Sequence, residues 1–253
     1  MTGYVARAVP WIRVALAAGL VVVLMELVRW SPWTLWPLEG TAVGLLAGAT
    51  AWCFDETAAA VVDSSPRGLA WRTMARTPGP LLLVVTWTAV ILHAGGETTF
   101  AHADQIWFQG VAASLAGAAY TCWRRSCGEA SPGLRFATAV VPATTAWAVL
   151  RPLDRHLPVF PYGTTAPGGW DHSATGWVAL SIGAVIVLGV VLADARWWRL
   201  PLAEGSAPRF VSDSAVLDTA CSASSRVVRR QDWVGPSQQP GGAGGPRQRE
   251  GGE

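Results

Sequence analysis

The chain has 253 residues, of which 51% are hydrophobic and only 14% are charged. An ordinary soluble domain has roughly a quarter of its residues charged, so this composition argues against a soluble globular protein and indicates a membrane protein. The formal net charge is +2, and the 19 basic residues, all arginine, form no patch. A nucleic-acid partner is therefore not expected.

Six apolar segments approach the ~20 residues that a transmembrane helix needs. In chain order they cover residues 11–28, 38–54, 80–95, 106–123, 136–150 and 177–193. We predict an all-α polytopic membrane protein with about six transmembrane helices in residues 1–202. Residues 203–253 are rich in Ser, Gly, Pro, Gln and Arg and contain too few apolar residues to fold alone, so they predict a largely disordered cytoplasmic tail.

Fifteen tryptophans support this interpretation. Tryptophan favours the headgroup layer of a bilayer, where its ring is in apolar surroundings and its N–H stays hydrated. The segment 30–36 contains three of them, and many others flank apolar runs: Trp11, Trp52, Trp71, Trp107, Trp123, Trp177, Trp197 and Trp198.

The arginines predict the orientation, because positive residues accumulate in cytoplasmic segments. With the N-terminus inside, ten arginines lie in the inner segments and three, Arg29, Arg151 and Arg155, lie in the outer ones. An even number of spans then places both termini in the cytoplasm. The Arg-only basic set and the Ala and Gly content are typical of a high-GC bacterial genome, so we predict the bacterial inner (plasma) membrane.

The segment 54–76, FDETAAAVVDSSPRGLAWRTMAR, is the most structured piece between predicted spans. Ser64, Ser65 and Pro66 form a helix-start signal, and the run 77–80, TPGP, predicts an end to the helix before the third span. Arg72 and Arg76 fall on one face, as in a basic amphipathic helix lying on the inner leaflet. The helix is either a connector held by anionic lipid or a docking element for a cytoplasmic motor subunit.

This segment resembles a motif of small actinobacterial multi-span proteins related to ABC transporter permeases, in which an acidic pair and an alanine run precede a proline and an arginine-rich helix. The resemblance implies a permease-like subunit of an exporter that pairs with a separate ABC ATPase and forms a homodimer or joins a second permease. The chain lacks a G-x-x-x-x-G-K-[ST] phosphate loop, so ATP hydrolysis would reside in the partner. The docking residues implied are Asp55, Glu56, Arg67, Arg72 and Arg76.

Other ionisable residues give weaker signals. Glu26 and Arg29 have the i, i+3 spacing of an ion pair on one helix face, and we predict that they pair. His93 near the outer end of the third span could bind a metal together with His102 and Asp104 beyond the turn. The intervening loop, GGETTFAHAD, is expected to be flexible, so we predict no metal or other cofactor.

The predicted outer loop 151–176 contains the acid–base candidates Asp154, His156, Asp171 and His172. Catalysis would also need a positioned nucleophile, and Ser173 lies in no recognisable nucleophile turn. We predict no catalytic residues and no enzyme activity in this chain. The alternatives to a permease-like subunit are a non-catalytic membrane scaffold or accessory protein and a lipid-acting membrane hydrolase that uses this loop.

Small residues in the fourth predicted span, at 112–118, predict a surface that another helix can approach closely. In the sixth span no two of the glycines, Gly176, Gly183 and Gly189, have the G-x-x-x-G spacing. These patterns favour helix packing within the bundle or with a second copy without choosing between them.

Overall fold

The computed structural model describes residues 8–55, 69–95, 102–150, 159–161 and 168–197. Within these ranges all the regular elements are helices, which confirms the all-α prediction for this part of the chain. The predicted tail, 203–253, lies outside the described residues. The helices are α1 (Trp11–Trp30), α2 (Pro32–Leu35), α3 (Pro37–Cys53), α4 (Leu69–Arg76), α5 (Pro78–Gly95), α6 (Ala103–Ser126), α7 (Pro132–Leu150) and α8 (Gly169–Trp197).

Four helical stretches are long and apolar enough to cross a bilayer, which supports a membrane protein. They are Trp11–Trp30, Leu69–Gly95, Pro132–Leu150 and Gly169–Ala193. Their outer faces present large apolar side chains, such as Ile12 and Leu92, which are 78% and 73% exposed. A face of this kind is stable against lipid, because lipid removes it from water.

The predicted second and fourth spans correspond to α3 and α6, which are not among these four stretches. Both pack in the interior of the bundle: α3 contacts α1, α6 and α7, while α6 also contacts α5 and α8. Twelve of the 17 residues of α3 are buried, whereas only four residues of α1 are. Because protein surrounds α3, its surface can be made of small residues instead of large apolar ones.

A row of three glycines on α3 forms the contact with α7. A Cβ atom on Gly40 would lie 2.6 Å from the Cβ of Ala148, and one on Gly48 would lie 3.1 Å from the Cα of Ala137. A Cβ on Gly44 would overlap the hydroxyl of Thr144. This glycine seam, Gly40, Gly44 and Gly48, lets the two helices approach closely, as small-xxx-small patterns do in membrane proteins.

Two glycines of α6 allow close contacts with α3 and with α5. Gly117 lies against the backbone carbonyl of Ala47 in α3, and Gly110 lies against the indole of Trp87 in α5. Trp87 is fully buried, and its indole N–H donates to the carbonyl of Trp107 at 3.1 Å. The small-residue surface predicted on the fourth span is therefore used for packing inside the bundle.

The junction between α4 and α5 is more continuous than the TPGP run predicts. Only Thr77 separates the helices, and the helical hydrogen bonds continue across it. The Thr77 N–H donates to the Thr73 carbonyl (3.1 Å), and the Thr77 carbonyl accepts from the Leu81 N–H (3.0 Å). Pro78 and Pro80 fall in the first turn of α5, where a helix requires no N–H donor. The 27 residues from Leu69 to Gly95 thus form a nearly continuous rod about 40 Å long.

Candidate functional site at the arginine-rich end

Six of the seven arginines whose side chains the structure describes lie at one end of the bundle. Here α1, α5 and α7 begin and α3 and α6 end. The Arg13 guanidinium, for example, lies 4.5 Å from the centre of the Trp52 ring, while Arg29 lies at the other end of α1. We call this the arginine-rich end, and its members are Arg13, Arg72, Arg76, Arg124, Arg125 and Arg135.

Asp55, predicted as a docking residue, caps the N-terminus of α7. Its Oδ1 accepts a hydrogen bond from the Gly133 N–H and its Oδ2 accepts one from the Leu134 N–H, both at 2.7 Å. The first N–H groups of a helix have no partner within the helix, and a negative charge beside them also interacts favourably with the helix dipole. The carboxylate therefore ties the end of α3 to the start of α7.

Two arginines complete this junction. Arg76 donates from Nη1 to the backbone carbonyl of Asp55, which links the α4–α5 rod to the α3–α7 junction, and the charge of Arg125 also acts on the Asp55 carboxylate. Burial raises the pKa of the Asp55 carboxyl above its ordinary value, although the two backbone hydrogen bonds, Arg125 and Arg76 act in the lowering direction. The helices that meet here are thus joined by polar contacts as well as by apolar packing.

The other predicted docking residues do not form a common exposed surface in the described part of the chain. Arg72 is only 8% exposed, whereas Met74 on the opposite side of α4 is 62% exposed. Arg76 is half-buried and contacts Asp55. Glu56 and Arg67 lie outside the described residues. The arginine side of α4 therefore faces the bundle, and a partner at this end would meet the Met74 side instead.

Glu129 is a second anchor at this end that the sequence analysis missed. Its carboxylate accepts from Arg124 at 2.5 Å and from Arg135 at 2.7 Å, and its side chain is only 13% exposed. It follows Gly128, whose φ of 85° ends α6 in the left-handed conformation that glycine tolerates. The Glu129 N–H donates to the Arg124 carbonyl and the Gly128 N–H to the Arg125 carbonyl, which is the Schellman arrangement. In the sequence, a glycine followed by an acidic residue, with arginines on both sides, was the signal that could have indicated this anchor.

At the opposite end, the predicted pair of Glu26 and Arg29 is confirmed, with Nε of the arginine 2.9 Å from Oε2 of the glutamate. His93 lies 3.6 Å from the same carboxylate. The His102 ring instead stacks on Trp170 with 4.1 Å between ring centres. The two histidines thus have different neighbours, and no group of three His, Cys, Asp or Glu side chains suited to a metal occurs in the described residues.

The acid–base candidates that the structure describes are Asp171 and His172. The His172 Nδ1 lies 2.8 Å from the Gly168 carbonyl, while the Ser173 hydroxyl is buried and donates to the Val159 carbonyl at 2.9 Å. Neither contact is that of a serine activated by a histidine base. The candidates Asp154 and His156 lie outside the described residues.

Glu39 is an acidic residue within α3 that the sequence analysis did not single out. Its side chain is 1% exposed, and it precedes the first glycine of the seam. Only its position at the start of a predicted span marked it in the sequence.

No family model, no curated protein and no solved structure matches this chain. Function is therefore inferred from the geometry and from the sequence pattern. The relation to ABC transporter permeases stays a prediction.

Proposed function

We propose that this chain is a permease-like membrane subunit of an ABC-type exporter and that it is driven by a separate cytoplasmic ATPase. The observation that carries the proposal is the α4–α5 rod. It exceeds the ~30 Å hydrocarbon core, so its α4 end can extend past the lipid at the arginine-rich end. Arg76 joins this end to Asp55, and α4 also contacts α8. A force applied to α4 would consequently reach α3, α5, α7 and α8.

The proposal includes six spans, with α3 and α6 as the inner two. Both helices pack along helices that are apolar enough to cross a bilayer, and a helix enclosed by protein does not need a lipid-compatible surface of its own. The arginine-rich end then faces the cytoplasm of a bacterial cell by the positive-inside rule. An even number of spans also puts both chain termini on that side.

Cysteine labelling tests this orientation. In a background without native cysteines, a cysteine at Ser65 should react with a membrane-impermeant maleimide only after the cells are permeabilised, whereas one at Thr165 should react in intact cells. The two positions flank opposite ends of the predicted spans, so each is the control for the other. Labelling of Ser65 in intact cells would reverse the orientation.

The ATPase contact is tested at Met74, because its exposed side chain lies on the outward side of α4. Met74→Asp should reduce copurification of a coexpressed ABC ATPase about tenfold or more, since an apolar anchor at the centre of an interface is worth at least ~1.4 kcal/mol. Met74→Leu should copurify it normally. Copurification in mild detergent, quantified by mass spectrometry, measures the effect.

Ala130→Asp is the matched control for charge, because Ala130 is exposed in the α6–α7 turn at the same end. It should capture the ATPase as the wild type does. Equal loss in Met74→Asp and Ala130→Asp would point to general charge repulsion and would contradict the α4 docking site. Charge reversal at Arg72 and Arg76 is a poorer test, because Arg72 is buried and its substitution would also disturb the bundle.

The second candidate is a non-catalytic membrane scaffold or accessory protein. The tight glycine contacts of α3 with α6 and α7 favour it, because helices whose backbones touch have little room to separate during transport. If the wild-type chain captures no ATPase when the candidates from its genome are coexpressed, the permease proposal fails and the scaffold takes its place.

A further inference from the structure

A cavity lies between the first turns of α6 and the start of α8, at the end opposite the arginine-rich one. Its volume is about 180 Å³, smaller than the ~300–1,000 Å³ of a typical drug-sized ligand site but more than one water molecule requires. We call it the α6–α8 groove. It is lined by Asp104, Gln105, Phe108, Gln109, Ala174 and Trp177.

Two glutamine side chains in the wall of the groove have amide oxygens that accept no hydrogen bond. Gln109 is only 2% exposed. Its Nε2 lies 3.5 Å from the Ser173 hydroxyl, but its Oε1 is buried and accepts no hydrogen bond, and the same holds for Oε1 of Gln105. About nine in ten buried polar groups have a partner, so two such oxygens one helical turn apart indicate a donor that is supplied from outside the chain.

The remaining lining residues define the charge and shape of that donor. Asp104 brings a carboxylate, and none of the lining residues that the structure describes carries a positive charge. The indole N–H of Trp177 already donates to the Val159 carbonyl at 3.2 Å, so this ring adds apolar surface and not a donor. Phe108 adds a second aromatic ring. Cations bind favourably beside such rings when a carboxylate is near.

We propose that the α6–α8 groove binds a small organic cation that carries N–H groups, such as a primary ammonium or a guanidinium. Its N–H groups donate to the amide oxygens, its charge pairs with Asp104, and its carbon chain packs against Phe108 and Trp177. The groove is too small for a large ligand. This binding goes beyond the proposed function, because it does not depend on whether an ATPase docks at the other end.

Isothermal titration calorimetry on the full-length protein in lipid nanodiscs tests the site with three probes. Butylammonium chloride should bind. Butanol, which has the same chain without the charge, should not bind, and tetramethylammonium, which has the charge without N–H donors, should bind about tenfold more weakly. Equal binding of butanol and butylammonium, or no heat with butylammonium at millimolar concentration, would overturn the proposal and leave a groove filled by water.

Two substitutions locate the binding. Asp104→Asn should weaken butylammonium binding about tenfold or more by removing the charged partner, whereas Asp171→Asn, an exposed acid in the first turn of α8 that does not line the groove, should leave it unchanged. Gln109→Leu should also weaken binding, provided that its melting curve shows a folded protein. Asp104 is exposed, so its variant should fold in any case, and unchanged binding by Asp104→Asn would refute the site.

Discussion

Alanine at position 117 should destabilise the helical bundle by about 3 kcal/mol. A Cβ atom on Gly117 would overlap the backbone carbonyl of Ala47, and a backbone cannot rotate away as a long side chain can. Helices α3 and α6 would have to separate, which would also disturb the neighbouring glycine seam of α3. The measurement is the apparent melting temperature in detergent, followed by tryptophan fluorescence at a fixed scan rate. The expected decrease is about 6–12 °C, from the ~2–4 °C per kcal/mol of chains this long.

Gly183→Ala is the matched control. Gly183 is also within a helix, but a Cβ there would meet nothing within 4 Å. Alanine favours the helix over glycine by about 0.5–1 kcal/mol, so this variant should melt at the wild-type temperature or slightly above. If Gly117→Ala melts like Gly183→Ala, the close contact between α6 and α3 is wrong.

Removal of the Asp55 carboxylate should cost about 2 kcal/mol. Asp55→Ala leaves the Gly133 and Leu134 N–H groups without their acceptors, and Gly133 is buried, so water cannot fully replace both hydrogen bonds. The positive charges of Arg76 and Arg125 also lose a nearby negative one. The expected result is a lower melting temperature together with faster hydrogen–deuterium exchange in the first turn of α7.

Two further variants separate the cap from a general effect of charge. Asp55→Asn keeps one acceptor oxygen and should show an intermediate loss. Asp171→Ala removes an exposed acid from the first turn of α8 and should cost at most about 1 kcal/mol, the worth of a helix-dipole interaction at the surface. Faster exchange throughout the bundle in Asp55→Ala, with no preference for α7, would contradict a local capping role.

The helices were predictable from the sequence because their apolar runs are long and their ends carry tryptophan, arginine or proline. The glycine seam is also visible in the sequence as Gly40, Gly44 and Gly48 at four-residue intervals. This pattern could not indicate which helix packs against the seam. Small residues permit close approach, but only the tertiary structure selects α7, with its Ala137, Thr144 and Ala148, as the helix that approaches.

The contacts at the arginine-rich end were harder to predict. Gly133 lies 78 residues from Asp55, and no local rule connects a residue after one helix to the first turn of another so far away. Helical spacing correctly indicates that Arg72 and Arg76 share a face of α4. It cannot indicate that this face turns inward, because arginine is usually exposed and the acceptors that hold it come from other parts of the chain.

The small-residue character of α3 has a consequence for the biogenesis of the protein. Glycine, threonine and the carboxylate of Glu39 partition poorly into lipid, so α3 alone is a weak substrate for the insertion machinery. Its partner α7 is made much later: at ~5–20 residues per second, the 78 residues between Asp55 and Gly133 take about 4–16 s to synthesise. During this interval α7 is not yet present to cover the glycine seam, whereas α1, α5 and α6, which also contact α3, are made before it. In the six-span arrangement that we propose, the order of translation therefore makes α7 the helix that completes the membrane integration of α3.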